Sequence, residues 1–236
     1  LDKDDQYIYL TEAHQSPELA AQLLAGTEEL AKAQRRSAEP LVLYGRAVEG
    51  NRVVRQAFER NGYSSTLSFL IMQTMLTEEP PTPQWADGIN VRAFVPRQDE
   101  QAVYRADEEA AEDKGYHALL SFDDWAKRMS LNSELFDPGL WFLAYDGNEL
   151  AGVCLNFIVR DSNTGWVDHL GVRRAWRRRG VGKALLLHTF REMYRRGVTN
   201  VKLSVDSKSL TNAPRLYESV GMKTVQHYHI YKKQFS

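Results

Sequence analysis

This 236-residue chain predicts a mixed α/β (α+β) fold, a mixed central sheet flanked by helices and preceded by a partial second copy of itself. Three observations carry that expectation. From residue 89 onward, apolar periods of two and of 3.6 alternate in the order β-α-α-β-β-β-α-β-α-β, which places helices on both faces of a mixed sheet. Ahead of it, TEEPPTPQWADG (77–88) puts three prolines in four positions before Asp-Gly and interrupts both helix and strand. Earlier still, AFERNGYSSTLSFLIMQ (57–73) echoes LYESVGMKTVQHYHIYK (216–232) as helix, glycine and alternating strand.

Each element has its own signal. INVRAFV (89–95) alternates as a strand, and Pro96 opens a helix over 97–112. Ser121 is the expected N-cap of a second helix in SFDDWAKRMS, with Asp124 as the acidic partner of a capping box. LWFLAYDGNELAGVCLNFIVR is a hairpin around Asp146-Gly147-Asn148. DSNTG turns into the strand WVDHLGV, and a helix from about Gly182 to Arg196 carries the apolar stripe Ala184, Leu185, Leu187, His188, Phe190 and Met193. NVKLSVD, TNAPRLYESVG and TVQHYHIYKK complete the order as strand, short helix and strand. Working backwards, LVLYGRA mirrors VKLSVDS, PELAAQLLAGTEELAKAQ mirrors the long helix, and QYIYL mirrors the strand before it. The expected organisation is therefore a partial repeat at 1–76, a Pro-rich linker at 77–88 and a complete domain at 89–236.

Composition narrows the function. A formal net charge of −1 gives no global pull towards nucleic acid or anionic lipid. No run approaches the roughly 18 apolar residues of a membrane span, and no signal peptide opens the chain. With a single Cys154, a reducing, cytoplasmic setting is expected. Cys154 reads as a small buried hydrophobe. No second Cys and no H-x-x-x-H spacing is present, so no metal is expected.

Against that balance, RRAWRRR (173–179) places five arginines in seven positions, directly before Gly180-Val181-Gly182-Lys183 and a helix. The first N–H groups of a helix have no internal partners and carry partial positive charge, so they attract anions. Glycine lets the backbone approach a ligand, and flanking guanidiniums add charged hydrogen bonds. The turn is neither a Walker loop, since Arg177 and Ala184 stand where Gly and Ser/Thr belong, nor the dinucleotide fingerprint, since Leu185 stands at the third small position. It fits [QR]-x-x-G-x-[GA] as Arg177-x-x-Gly180-x-Gly182.

In that strand-to-helix setting the chain resembles the GNAT N-acetyltransferases over roughly residues 89–236. The tandem layout with a reduced first repeat resembles, in architecture only, that of mycothiol synthase. The resemblance implies acetyl-CoA as co-substrate. Leu170, Gly171 and Val172 would offer strand backbone to the pantetheine arm. Arg177, Arg178, Arg179, Gly180, Val181, Gly182 and Lys183 would wrap the pyrophosphate, and Asn212 would contact the pantetheine. Tyr217 would sit by the sulfur as the acid for the leaving thiolate, and Asp168 is the candidate base for the amine, acting directly or through water. His169, next in the strand, should point to the opposite face and reads as structural. The acidic run Asp107, Glu108, Glu109, Glu112 and Asp113, ahead of KGYHALLSF, lies where the resemblance implies the acceptor site, and a carboxylate there could hold a cationic amine; most of the run reads as a solvated helix face. Glu18 and Pro17 stand where the first repeat would need its glycine turn, so that repeat is expected to bind no CoA. The acceptor is a small-molecule or peptide amine, without nucleic acid or membrane. The competing expectation is a non-catalytic module that binds acyl-CoA or nucleic acid through the arginines, with Trp176 stacking on a base.

Overall fold

The structure, a computed structural model, describes residues 6–10, 16–35, 40–113, 119–129, 131, 136–209 and 212–235. Two compact units divide the chain: Leu1–Leu70 with Val225–Ser236, and Ile71–Thr224. This division differs from the boundary expected at 77–88. Residues 71–88 go with the second unit, where Leu76 N donates to Thr199 O and Arg191 donates to Pro80 O. The C-terminal strand goes with the first unit for reasons of pairing.

In unit 1 the elements are β1 (Gln6–Tyr9), α1 (Pro17–Gln34), β2 (Leu41–Val48), α2 (Arg52–Arg60), β3 (Ser64–Met75) up to Leu70, and β9 (Lys223–Phe235) from Val225. The strands lie in the order β1-β2-β9-β3. β1 is parallel to β2 from Gln6↔Leu43 to Tyr9↔Arg46, and β9 is antiparallel to β2 from Leu41↔Phe235 to Val48↔Tyr228. β2 buries alternate residues, and Leu41, Leu43 and Ala47 join Leu24, Ala31, Val54, Phe58, Tyr63 and Tyr231 in one core. Tyr231 stacks on Phe58 with ring centroids 5.2 Å apart. The apolar face of the last strand is thus buried against α2, which explains its place here.

Unit 2 holds β4 (Ile89–Ala93), α3 (Glu100–Ala111), α4 (Phe122–Arg128), β5 (Phe142–Asp146), β6 (Glu149–Val159), β7 (Thr164–Val172), α5 (Val181–Arg195), β8 (Asn200–Asp206) and α6 (Ala213–Glu218). Its strands run β8-β7-β6-β5-β4, with β7 and β8 parallel and the remaining pairs antiparallel. α3 and α4 cover one face through Val103, Ala106 and Trp125 against Leu143, Val153 and Leu155. α5 covers the other: His188 packs on Phe142, and Thr189 reaches Cys154. α3 starts three residues later than Pro96 suggests. Asp99 accepts from Arg92 at 2.6 and 2.7 Å and from Val95 N at 2.7 Å, and this turn occupies the stretch before the helix. Ser121 caps α4 as expected, accepting from Asp124 N at 3.1 Å and donating to its carboxylate at 2.6 Å. Among the described residues no helix is long and apolar enough to cross a membrane.

Candidate functional site

The site begins where two parallel strands part. β7 pairs with β8 only from Thr164↔Asn200 to Val167↔Leu203. β7 then runs on to Val172 and β8 to Asp206 without further pairing between them, so the strands diverge. On its other side β7 stays paired with β6, but the register shifts: Asn156 faces Val167, Leu155 faces His169, and Asp168 is the extra residue of a bulge. Bulge and divergence together leave the β8-facing backbone of residues 168–172 without a strand partner among the described residues, and of its polar groups the Val172 carbonyl is taken by Arg177. Asp168 is exposed there.

The side chains beyond the bulge sort by face. Gly171 lies against α3, where an added Cβ would stand 2.8 Å from Ala110 Cβ. His169 also reaches α3, its Nδ1 2.9 Å from Asp107 Oδ1. Leu170 and Val172 face the start of α5 instead. An added Cβ at Gly182 would meet Leu216 at 3.3 Å, Val172 at 3.5 Å and Leu170 at 4.0 Å. Gly182 is therefore the junction where the end of β7, the first turn of α5 and α6 come within van der Waals reach.

α5 starts at Gly180, whose φ of 82° belongs to the left-handed region, and no side chain caps the helix. A Cβ there would meet nothing within 4 Å, so the space above the turn is open. Arg178 is also left-handed, at φ 64°. Left-handed residues thus stand on either side of Arg179 in the turn that leads into α5. The first N–H groups of α5 have no side-chain cap and a helix dipole behind them.

The arginines divide the labour. Arg173 donates to Glu109 at 2.6 Å, Arg174 pairs with Glu112 at 3.0 Å and Asp113 at 2.8 Å, and Arg179 donates to Asp146 at 3.1 Å. Arg177 donates to Val172 O at 3.0 Å and pairs with Asp113. The motif arginine therefore ties the turn to β7 and α3, leaving contact with an anion to the backbone. Arg178 and Lys183 are exposed and make no ion pair among the described residues, so they are the cations available to a ligand. Trp176 is buried with its indole N–H on Asp146 at 2.9 Å, which removes it as a stacking platform for a base.

The acidic run of α3 corrects the expectation of a solvated face. Asp107 and Glu108 are 4% and 6% exposed. Asp107 accepts from Trp125 Nε1 at 3.0 Å as well as facing His169, and Glu108 accepts from Leu120 N at 3.2 Å. Glu109, Glu112 and Asp113 hold the arginine turn. The Arg174 and Arg177 guanidiniums keep the Asp113 carboxyl down at about 2. A carboxyl lowered in the folded state stabilises it above its ordinary titration range, and loses that contribution as pH falls towards about 2. Thermal melts of wild type and Asp113→Asn should therefore differ at pH 6 and converge as pH approaches 2.

Of the remaining expected residues, Asn212 is exposed, left-handed at φ 57°, and makes no side-chain cap to α6. Tyr217 is buried at 9% exposure on α6, one residue after the Leu216 that packs over Gly182. The stretch 114–118 of the expected acceptor region, and Thr211 before α6, lie outside the described residues. Cys154 is fully buried, bonded to Thr189 and Asn156, and burial pushes its thiol up to about 12. Ellman's reagent should find no thiol in the native chain and one after denaturation, so a thiol-release assay reads free CoA alone.

The acetyltransferase (GNAT) family model matches residues 98–222. Mycothiol acetyltransferases of Streptomyces scabiei and Saccharomonospora viridis are each 32% identical, over 156 and 183 residues. These cover 66% and 71% of this chain and 50% and 57% of theirs. The chain thus spans about half the length of the curated relatives it matches. The crystal structure of a GCN5-related N-acetyltransferase from Sphaerobacter thermophilus superposes with a TM-score of 0.82 at 32% identity, over 98% of this chain and 73% of that one. A tandem GNAT protein from the clavulanic acid biosynthesis pathway shares the fold at a TM-score of 0.68 and 13% identity, over 98% and 75% of the two chains. The family implies acetyl-CoA as co-substrate, and the open turn above Gly180 with the diverging β7 fits it. The chain belongs to the GNAT acetyltransferase family.

Proposed function

We propose that this chain transfers the acetyl group of acetyl-CoA to a primary amine by direct attack in a ternary complex. One observation carries the reading: β7 leaves β8 after Val167, in the same unit in which α5 begins uncapped beneath open space. Acetyl-CoA supplies the activated thioester. The N–H groups of Val181, Gly182 and Lys183 hold its diphosphate, aided by Arg178 and Lys183. The open backbone of Leu170 to Val172 and the Asn212 side chain hold the pantetheine arm, and a β7 N–H donates to the thioester oxygen. An alkylammonium, with a pKa near 10.4, cannot attack at neutral pH, so a base must take its proton. Asp168, exposed at the bulge, is that base, and the Tyr217 hydroxyl gives the leaving thiolate its proton.

Asp107 and His169 support a second assignment of the base. Asp107 is fixed by Trp125 and orients the His169 ring through Nδ1, and His169 Nε2 makes no hydrogen bond to a described residue. Variants of each residue separate the two assignments.

The acceptor is a small amine of the kind the mycothiol acetyltransferases act on. Free-thiol release from acetyl-CoA, measured across sugar amines, amino acids and peptide N-termini, tests it. Turnover on a small sugar amine supports the reading, and turnover confined to peptides replaces the acceptor class. Failure to bind acetyl-CoA, with salt-sensitive binding of random oligonucleotide, would restore the binding-module reading.

Residues 1–76 read as a degenerate repeat that binds no CoA. α1 is the counterpart of α5, but its N-terminus is already served: Ser16 accepts from Leu19 N at 3.3 Å and donates to Glu18 at 2.9 Å, and Pro17 lacks an N–H. The backbone N–H and Ser16 lower the Glu18 carboxyl and keep it charged where a diphosphate would need to sit. Phe58 occupies the position of Tyr217 as a fully buried core residue. Calorimetry should find one equivalent of acetyl-CoA per chain.

A further inference from the structure

His227 and His229 stand two residues apart on β9, so their imidazoles share one face of the strand. Their ring centroids are 4.9 Å apart. β9 pairs with β2 so that His229 faces Ala47, and Glu49 N donates to His227 O at 2.8 Å just past the end of β2. Glu49 thus lies opposite His227, its Oε2 2.8 Å from His227 Nδ1. One ligand atom from each of the three residues lies within 4.8 Å of the others. All three belong to unit 1.

Two polar atoms here lack a partner among the described residues: Nε2 of His227 and Nε2 of His229 are both buried without a hydrogen bond. Buried polar groups are almost always paired, so two orphaned imidazole nitrogens in one cluster call for a partner. The adjacent cation does not supply it: Arg55 donates to Glu49 O at 3.1 Å and to the Tyr231 hydroxyl at 3.3 Å.

We propose that Glu49, His227 and His229 bind a divalent transition-metal ion of the Zn²⁺ class. Two imidazoles with one carboxylate suit borderline metals rather than Ca²⁺ or Mg²⁺, which take all-oxygen shells. The half-exposed Glu49 side chain gives the ion a way in, and three protein ligands leave a fourth position for water. The ion clasps the chain's last strand to the end of β2, joining residues 178 positions apart. The expectation of no metal rested on helical H-x-x-x-H spacing; on a strand the same-face spacing is H-x-H, and the carboxylate comes from a distant strand end.

The test uses the tag-free full chain, stripped of metal by a chelator and titrated with Co²⁺ followed by visible absorption, then with Zn²⁺ by calorimetry. Expected are one equivalent per chain with a ligand-field band, and a weakening of about tenfold or more in Glu49→Gln and in His227→Gln/His229→Gln. Zn²⁺ should raise the melting temperature of wild type more than that of Glu49→Gln at the same Zn²⁺ concentration. Glu49 is exposed, so its variant reports even if the double variant folds poorly. No ligand-field band in wild type, or the same affinity and spectrum in Glu49→Gln, overturns the site.

Discussion

Asp168→Asn and Tyr217→Phe should each lower kcat by about 100-fold or more, while acetyl-CoA affinity stays within about twofold. Both substitutions nearly preserve shape while removing the proposed proton-transfer group. Asp168 is exposed on a bulge. Tyr217 is a buried ring, and phenylalanine keeps that ring while deleting the hydroxyl. The pH profile separates the roles: loss of the base removes the acid limb of kcat/KM, and loss of the acid leaves it in place. Should His169→Gln lose that limb while Asp168→Asn keeps it, the imidazole held by Asp107 is the base. Unchanged turnover in both Asp168→Asn and Tyr217→Phe removes the roles proposed for them.

Gly180→Val should weaken acetyl-CoA binding by about 100-fold, equivalent to about 2.7 kcal/mol. Two effects add. A left-handed φ costs an L residue about 1–2 kcal/mol, more when it is β-branched, so the turn is pulled away from its present curl. The new side chain also projects into the space that Gly180 leaves open, where an added Cβ meets nothing within 4 Å, and so acts on the ligand more than on the fold. The melting temperature should change far less than affinity does. Equal losses of both would mean that Gly180 serves the fold alone.

Much of this was legible locally. The capping box of Ser121 and Asp124, the hairpin across Gly147 and Asn148 and the glycine turn at 180–182 each depend on residues a few positions apart, and the order of elements from 89 onward follows from their periodicity. The rest depends on partners remote in sequence. Alternation marks β9 as a strand but does not name β2 as its neighbour. The bulge that isolates Asp168 comes from the register of β6 against β7, which no residue type announces. Asp113 and Glu109 look like surface acids until α3 lies beside Arg173, Arg174 and Arg177, more than 60 positions on. The arginine run then changes meaning, from an anion-binding patch to a braced turn that presents its backbone.

That backbone is the centre of the account. Titrating ¹⁵N-labelled chain with CoA and following its amide resonances tests it most directly. The amides of Val181, Gly182 and Lys183 should shift and saturate together at one equivalent, while those of Leu19 and Ala20 at the start of α1 stay fixed. Saturating binding that leaves the α5 amides unmoved, or that moves the α1 amides instead, would contradict it.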